Sequence, residues 1–193
     1  MSVAGTRSSS GQAEPAWVGE VLHYWFEEVA EAHWFKANHD LDAQIRARFI
    51  ALHERAATGH VPGITTPRAL LAAVIVLDQF SRNIFRGTPR AYAADPAARR
   101  HASTAIDQGY DLNMAIPHRQ FLYMPFQHSE EREDQARSVA LFEKLGDKIL
   151  TEYALAHKAI IDRFGRFPHR NAALNRQSSA EEIALLKEPM GSF

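Results

Sequence analysis

The sequence predicts an all-α protein, a single domain of about seven to nine helices joined by short loops and paired as antiparallel hairpins. Three observations carry this reading. Apolar residues recur at the spacing of a helix face along most of the chain. Proline repeatedly follows a residue able to cap a helix. No succession of alternating strands with hairpin turns occurs.

Residues 1–14 are small and polar and are expected to form a disordered N-terminal tail, leaving 15–193 as the helical domain. Trp17, Val18, Val21, Leu22, Trp25 and Phe26 mark the first helix. Leu41, Ile45, Phe49, Leu52 and Ala56 mark the second, which Gly59 ends. At Thr66-Pro67, Thr88-Pro89 and Asp95-Pro96 a side-chain oxygen can accept an orphan amide hydrogen, and the following proline has none to lose. Residues 69–80, ALLAAVIVLDQF, are apolar on every face until Asp78, as expected of a central helix. In Tyr123-Met124-Pro125-Phe126-Gln127-His128-Ser129-Glu130, Pro125 is expected to end a short helix. Ser129 then caps the next, with His128 at its entrance and Gln135 two turns along the same face. Ile149, Leu150, Tyr153, His157, Ile160, Ile161 and Phe164 form a further stripe, in which His157 reads as a hydrogen-bonded core histidine; Gly165 stops the helix in a left-handed conformation. Pro168 is expected to start another helix. Ser178-Ser179-Ala180-Glu181-Glu182 offers overlapping capping boxes for the last one.

The chain is 46% apolar and 23% charged, enough for a substantial core. Its 22 Lys and Arg balance 23 Asp and Glu to a net charge of -1, which disfavours a nucleic-acid partner. The absence of cysteine excludes disulfides, thiolate metal sites and thiol nucleophiles. The first residues lack the apolar stretch of a signal peptide. The longest strongly apolar run, Ala69–Leu77, falls short of the roughly 20 residues that span a bilayer. No membrane partner and a cytoplasmic location are therefore expected. Neither GxGxxG, a P-loop nor GxSxG occurs, and the ten histidines include no HExxH and no pair at i, i+4. Neither a cofactor nor a metal is expected.

Three segments carry unusual chemistry. The C-terminal half of the apolar helix bears Asp78, Arg82 and Arg86 four apart on one face, with Gln79 and Asn83 on the adjacent row. Buried charge must be paired or must line a wet pocket. The second segment holds His128 beside Glu130, and an imidazole there can transfer protons near neutral pH. The third, Phe164 to Asn171, gathers Arg163, Arg166, His169 and Arg170, whose guanidinium forks match carboxylate or phosphate.

The blocks LDQFSRNIFRGTPRAY, FLYMPFQHSE and FGRFPHRNAAL, followed by the closing KEPMGSF, resemble in order the signature segments of a bacterial family designated domain of unknown function 924. The likeness runs from about Val21 to Phe193. The resemblance implies a helical fold of the tetratricopeptide-repeat-like superfamily and names neither an activity nor catalytic residues. The sequence carries no repeat of the roughly 34-residue type, so the implied likeness is one of architecture. Where the family pattern often has proline in the first block this chain has Ser81, and a small local change that keeps the polar face is expected.

The leading functional reading is a pocket for a small anionic ligand, a carboxylate or phosphate, with acid–base chemistry in reach. Arg82, Arg86, Arg166 and Arg170 would hold the anion, and Gln79, Asn83, Gln135 and Asn171 would orient it. His128 and His169, with Glu130 and Asp78, form the catalytic set. Two alternatives stand beside it: a helical adaptor that binds a peptide or partner protein, and polar blocks that serve only as structural networks.

Overall fold

Helical spacing in the sequence becomes eight helices among the residues described, 13–188 and 191, of a computed structural model. Residues 1–12, most of the expected tail, lie outside the described residues; Glu14 is described and pairs with Arg68 at 3.1 Å. Helix α1 (Ala16–His23) continues into a π turn, Tyr24–Glu28. Helix α2 is His39–Ala57. Helix α3 spans residues 67–84, as Pro67–Val74, a π turn Ile75–Phe80 and Ser81–Ile84. The remaining helices are α4 (Asp95–Asp107), α5 (Ile116–Gln127), α6 (Arg132–Leu145), α7 (Lys148–Phe164) and α8 (Ala180–Leu185). No strand occurs among the described residues, and no helix there is long and apolar enough to cross a membrane.

Helix α3 is the hub, packing against α1, α2, α4 and α5, while α5, α6 and α7 pack in succession through short links. Its residues 69–80 are buried throughout, as an all-apolar surface demands. Phe80 illustrates the packing: its ring lies 4.8 Å from Phe49, 5.6 Å from Trp25 and 6.2 Å from Tyr24. A smaller cluster of Ile160, Ile161, Phe167 and Leu185 ties α8 to the end of α7.

Several local expectations hold for their stated reasons. Thr66 accepts from Ala69 N at 3.1 Å above Pro67, Ser179 and Glu182 form a capping box, and Gly165 closes α7 at φ 68°. Others need correction. Helix α5 continues two residues past Pro125. Proline's fixed φ suits a helix, and so near the C-terminus it removes only one internal hydrogen bond, a loss offset by burial of Phe121, Leu122, Tyr123 and Phe126. His128 therefore closes α5, its amide bonded to Met124 O at 2.9 Å, instead of opening α6. Ser129 accepts from Glu131 N at 3.2 Å, ahead of the helix proper. Thr88-Pro89 and Pro168 open only three-residue 3₁₀ turns, Pro89–Ala91 and Pro168–Arg170. Asp95 is not a cap: Ala94 holds that position, and the Asp95 carboxylate turns inward to arginine. Ser81 returns its hydroxyl to Leu77 O at 2.6 Å and leaves the helix unbroken.

Truncation at the centre of α3 should be severe. Phe80→Ala removes a fully buried ring and should cost about 3–5 kcal/mol of unfolding free energy, measurable by urea titration. A loss under about 1 kcal/mol would contradict the packing described.

Candidate functional site

One end of α3 opens into a cleft of about 480 Å³. Helix α3 and the turn after it present Gln79, Arg82, Asn83 and Arg86 to the cleft, and Tyr92 follows from the next turn. Helix α5 and its C-terminal residue supply Gln120, Met124, Gln127 and His128; α7 supplies Leu150, Tyr153 and His157. The loop before α2 adds Trp34, Phe35 and Lys36, and the turn after α7 adds His169 and Arg170.

Arg82 organises the charged end. Its guanidinium donates to both Asp95 oxygens, at 3.0 and 3.1 Å, and to Asp78 O at 2.7 Å, and lies 3.2 Å from Asp78 Oδ1. Arg170 donates to His128 O at 2.8 Å and approaches Asp95 Oδ2 at 3.6 Å. Its guanidinium lies 4.6 Å from the ring centres of both Tyr92 and Phe167. Burial, reinforced by the neighbouring charge of Arg82, brings the Arg170 pKa down to about 10, so it stays charged at neutral pH. Arg86 binds both oxygens of Asp42 at 2.7 Å, and Asn83 joins the same carboxylate at 2.8 Å.

Asp78 is fully buried beneath this surface. Burial disfavours its charge, but Arg82 and then His128 outweigh that and hold the carboxyl well below its usual range. Its Oδ1 lies 2.8 Å from His128 Nδ1, and its Oδ2 accepts from Gln79 Nε2 at 2.5 Å. An ionised Asp78 accepts, so Nδ1 of His128 carries the proton and Nε2 presents its lone pair. Burial lowers the His128 pKa, with Asp78 acting in the opposite direction. His157 Nδ1 lies 2.8 Å from Tyr153 O and 3.0 Å from Gln127 Nε2. Burial, then the charge of His128, pushes His157 down to about 3. Burial and Arg170 do the same to His169, also to about 3.

Seven of the residues singled out in the sequence thus line one cleft: Gln79, Arg82, Asn83, Arg86, His128, His169 and Arg170. Asp78 lies directly behind His128. Four others are placed elsewhere. Glu130 is gripped by Arg176, at 2.8 and 2.9 Å, and by Phe167 N at 2.8 Å. Arg166 is held by Glu182, at 2.7 and 2.9 Å. Gln135 is buried, donating to Gln127 O and Ser129 O at 2.8 and 2.7 Å, and so satisfies the end of α5. Asn171 bridges Ser178 and Arg176. Sequence reasoning missed Lys36, Gln127, Tyr92 and the structural roles of Asp42, Asp95 and Arg176. His157 is buried and hydrogen-bonded as expected, and it also lines the cleft. No group of three or more His, Asp or Glu able to hold a metal occurs among the described residues.

Fold and site together define a single-domain, all-helical protein with a cation-lined cleft. The chain belongs to the family of bacterial proteins of unknown function DUF924, which it matches over residues 21–190. It is similar to the solved structure of a protein of unknown function, ATU0120, from Agrobacterium tumefaciens. The two are 36% identical with a TM-score of 0.84, over 90% of this chain and 98% of that one. No curated protein matches the chain.

Removing a carboxylate from the network should be costly. Asp95→Ala leaves Arg82 and Arg170 short of countercharge and should lower stability by about 3–5 kcal/mol in a denaturant titration. The buried imidazoles set a pH dependence of known sign. Their folded pKa values lie below the unfolded one, so the unfolded chain binds more protons as pH falls from 6.5 towards about 3, and stability drops over that range. The double variant His157→Gln/His169→Gln should flatten the fall of Tm between pH 6.5 and about 4.5 relative to wild type. An equally steep fall would contradict the burial assigned to these rings.

Proposed function

We propose that the cleft binds a small organic anion and that His128, oriented by Asp78, exchanges a proton with that molecule or with water beside it. One observation carries the reading: Lys36, Arg82, Arg86 and Arg170 line the cleft, and no Asp or Glu is among its described lining residues. The three carboxylates nearby, Asp42, Asp78 and Asp95, sit behind the arginines and fix their orientation. Each guanidinium retains N–H groups beyond those bonded to these acids, and guanidinium donors suit a carboxylate or phosphate.

His128 supplies the proton acceptor. A neutral imidazole with its tautomer fixed by a buried carboxylate is the arrangement general base catalysis needs. His169 has no carboxylate against its ring among the described residues, and burial and Arg170 lower its basicity. The chemistry that fits is proton transfer or hydrolysis without a covalent intermediate. A peptide adaptor remains the second reading, but about 480 Å³ falls within the range of small-molecule sites and not of an extended groove.

The test is calorimetric titration with acetate, butyrate, succinate and inorganic phosphate. Lys36 makes no ion pair among the described residues, so Lys36→Met should leave Tm unchanged while weakening anion binding about tenfold. His128→Gln should bind the same anion with little loss. Absence of binding by every anion in the set would overturn the proposal.

A further inference from the structure

We infer that the anion taken by this cleft is a monocarboxylate bearing an apolar chain or ring, its carboxylate on the arginine face and its tail against Trp34, Phe35 and Tyr153. The inference rests on the anion-binding reading above and narrows it to one chemical class.

The first support is the order of side chains along the cleft. Gln127 on α5 meets His157 on α7 at 3.0 Å, so these two helices contribute to the same end. Arg170, bonded to His128 O, belongs to that end as well. One and two turns back along α7 lie Tyr153 and Leu150, and two turns back along α5 lies Gln120. Beside Gln120, the Phe121 ring stands 5.0 Å from Trp34 and 6.0 Å from Phe35. The cleft therefore passes from imidazole, amide and guanidinium at one end to the aromatic and aliphatic surface of Trp34, Phe35 and Leu150 at the other, where Lys36 adds one charge beside Phe35. Seven helical steps take Gln120 to Gln127, a span of about 10 Å, which matches a medium-chain carboxylic acid.

The second support is exposure. Phe35 is 59% exposed, yet it faces the cleft. Apolar area left open at the mouth of a charged cavity is area that a ligand tail would bury, and burial of each methylene strengthens binding.

The third support is charge. Lys36, Arg82, Arg86 and Arg170 stand against Asp42, Asp78 and Asp95, and the three histidines are neutral above pH 6.5. One net positive charge remains among these described residues. It complements a monocarboxylate better than a phosphate dianion, which would leave negative charge uncompensated beside buried Asp78.

The experiment is calorimetric titration of the full chain with straight-chain carboxylates from acetate to octanoate, with the matching alcohols and hexyl phosphate alongside. Affinity should rise about fourfold per methylene and level off as the chain fills the span. The alcohols should bind at least tenfold more weakly than the acids. Phe35→Ser, a change at an exposed position, should flatten the chain-length dependence. Butyrate binding with no gain on lengthening would overturn the apolar-tail inference while leaving the anion site standing. Tighter binding of hexyl phosphate than of hexanoate would overturn the preference for a single charge. Failure of every acid and phosphate to bind would remove the anion site itself.

Discussion

The guanidinium of Arg82 lies between Asp78 and Asp95, and the geometry of the cleft depends on that placement. Asp95 begins α4 and also approaches Arg170 from the turn after α7. Asp78 belongs to α3 and orients His128 at the end of α5. Four segments distant in sequence are thereby held by one alternating set of charges. Water is largely excluded, so each member depends on the others for the compensation that solvent would otherwise give. Such a network adds little net stability compared with an apolar substitute of the same shape. Its effect is to fix positions, because a displaced member leaves an uncompensated charge.

Helix α3 can bring charge so deep because of its local form. Asp78 and Gln79 sit in the π turn Ile75–Phe80, where the wider winding changes the helix register. Ile75, Val76, Leu77 and Phe80 are buried in the same turn as Asp78. One turn later Arg82 reaches back to the Asp78 carbonyl and carboxylate while part of its side chain remains exposed. The apolar wall and the polar wall of the site are thus successive turns of one helix. The surrounding hydrocarbon strengthens every electrostatic interaction along it.

Much of the fold was legible because its signals are local. Thr66-Pro67, Gly165 and the Ser179–Glu182 box act within a single turn, and apolar spacing alone marks the faces that pack. Asp95 and Pro125 were misread because their outcomes are set from afar. Asp95 could cap its own helix, but the buried arginines bind it more strongly than an amide does. Pro125 reads as a stop, but burial of the residues around it carries the helix further. In the site, Arg82 stood out as costly charge on an apolar helix, His128 as an imidazole beside a carboxylate, and Arg170 as one of a cluster of cations. Lys36 gave no signal, because a lysine in a polar loop has many equivalent explanations. Glu130 and Arg166 looked like site residues because sequence reveals charge density and not pairing, and both are bound to partners 46 and 16 residues away.

Three imidazoles face the cleft, and their surroundings divide them. The guanidinium groups keep their charge across the ordinary pH range, and together with burial they hold all three rings neutral. His157 and His169 are pushed to about 3 by burial and neighbouring positive charge, despite the Tyr153 carbonyl at the one and Glu130 near the other, and such a ring is too weak a base to take a proton at neutral pH. His128 has the Asp78 carboxylate hydrogen-bonded to its ring, and Asp78 works against the burial that lowers its basicity. Arg82 thereby acts in two directions: its own charge disfavours protonated His128, while the Asp78 it keeps ionised favours it. The position of one guanidinium relative to one carboxylate sets how readily Nε2 of His128 accepts a proton, and that balance, more than the number of histidines, gives the site its chemical direction.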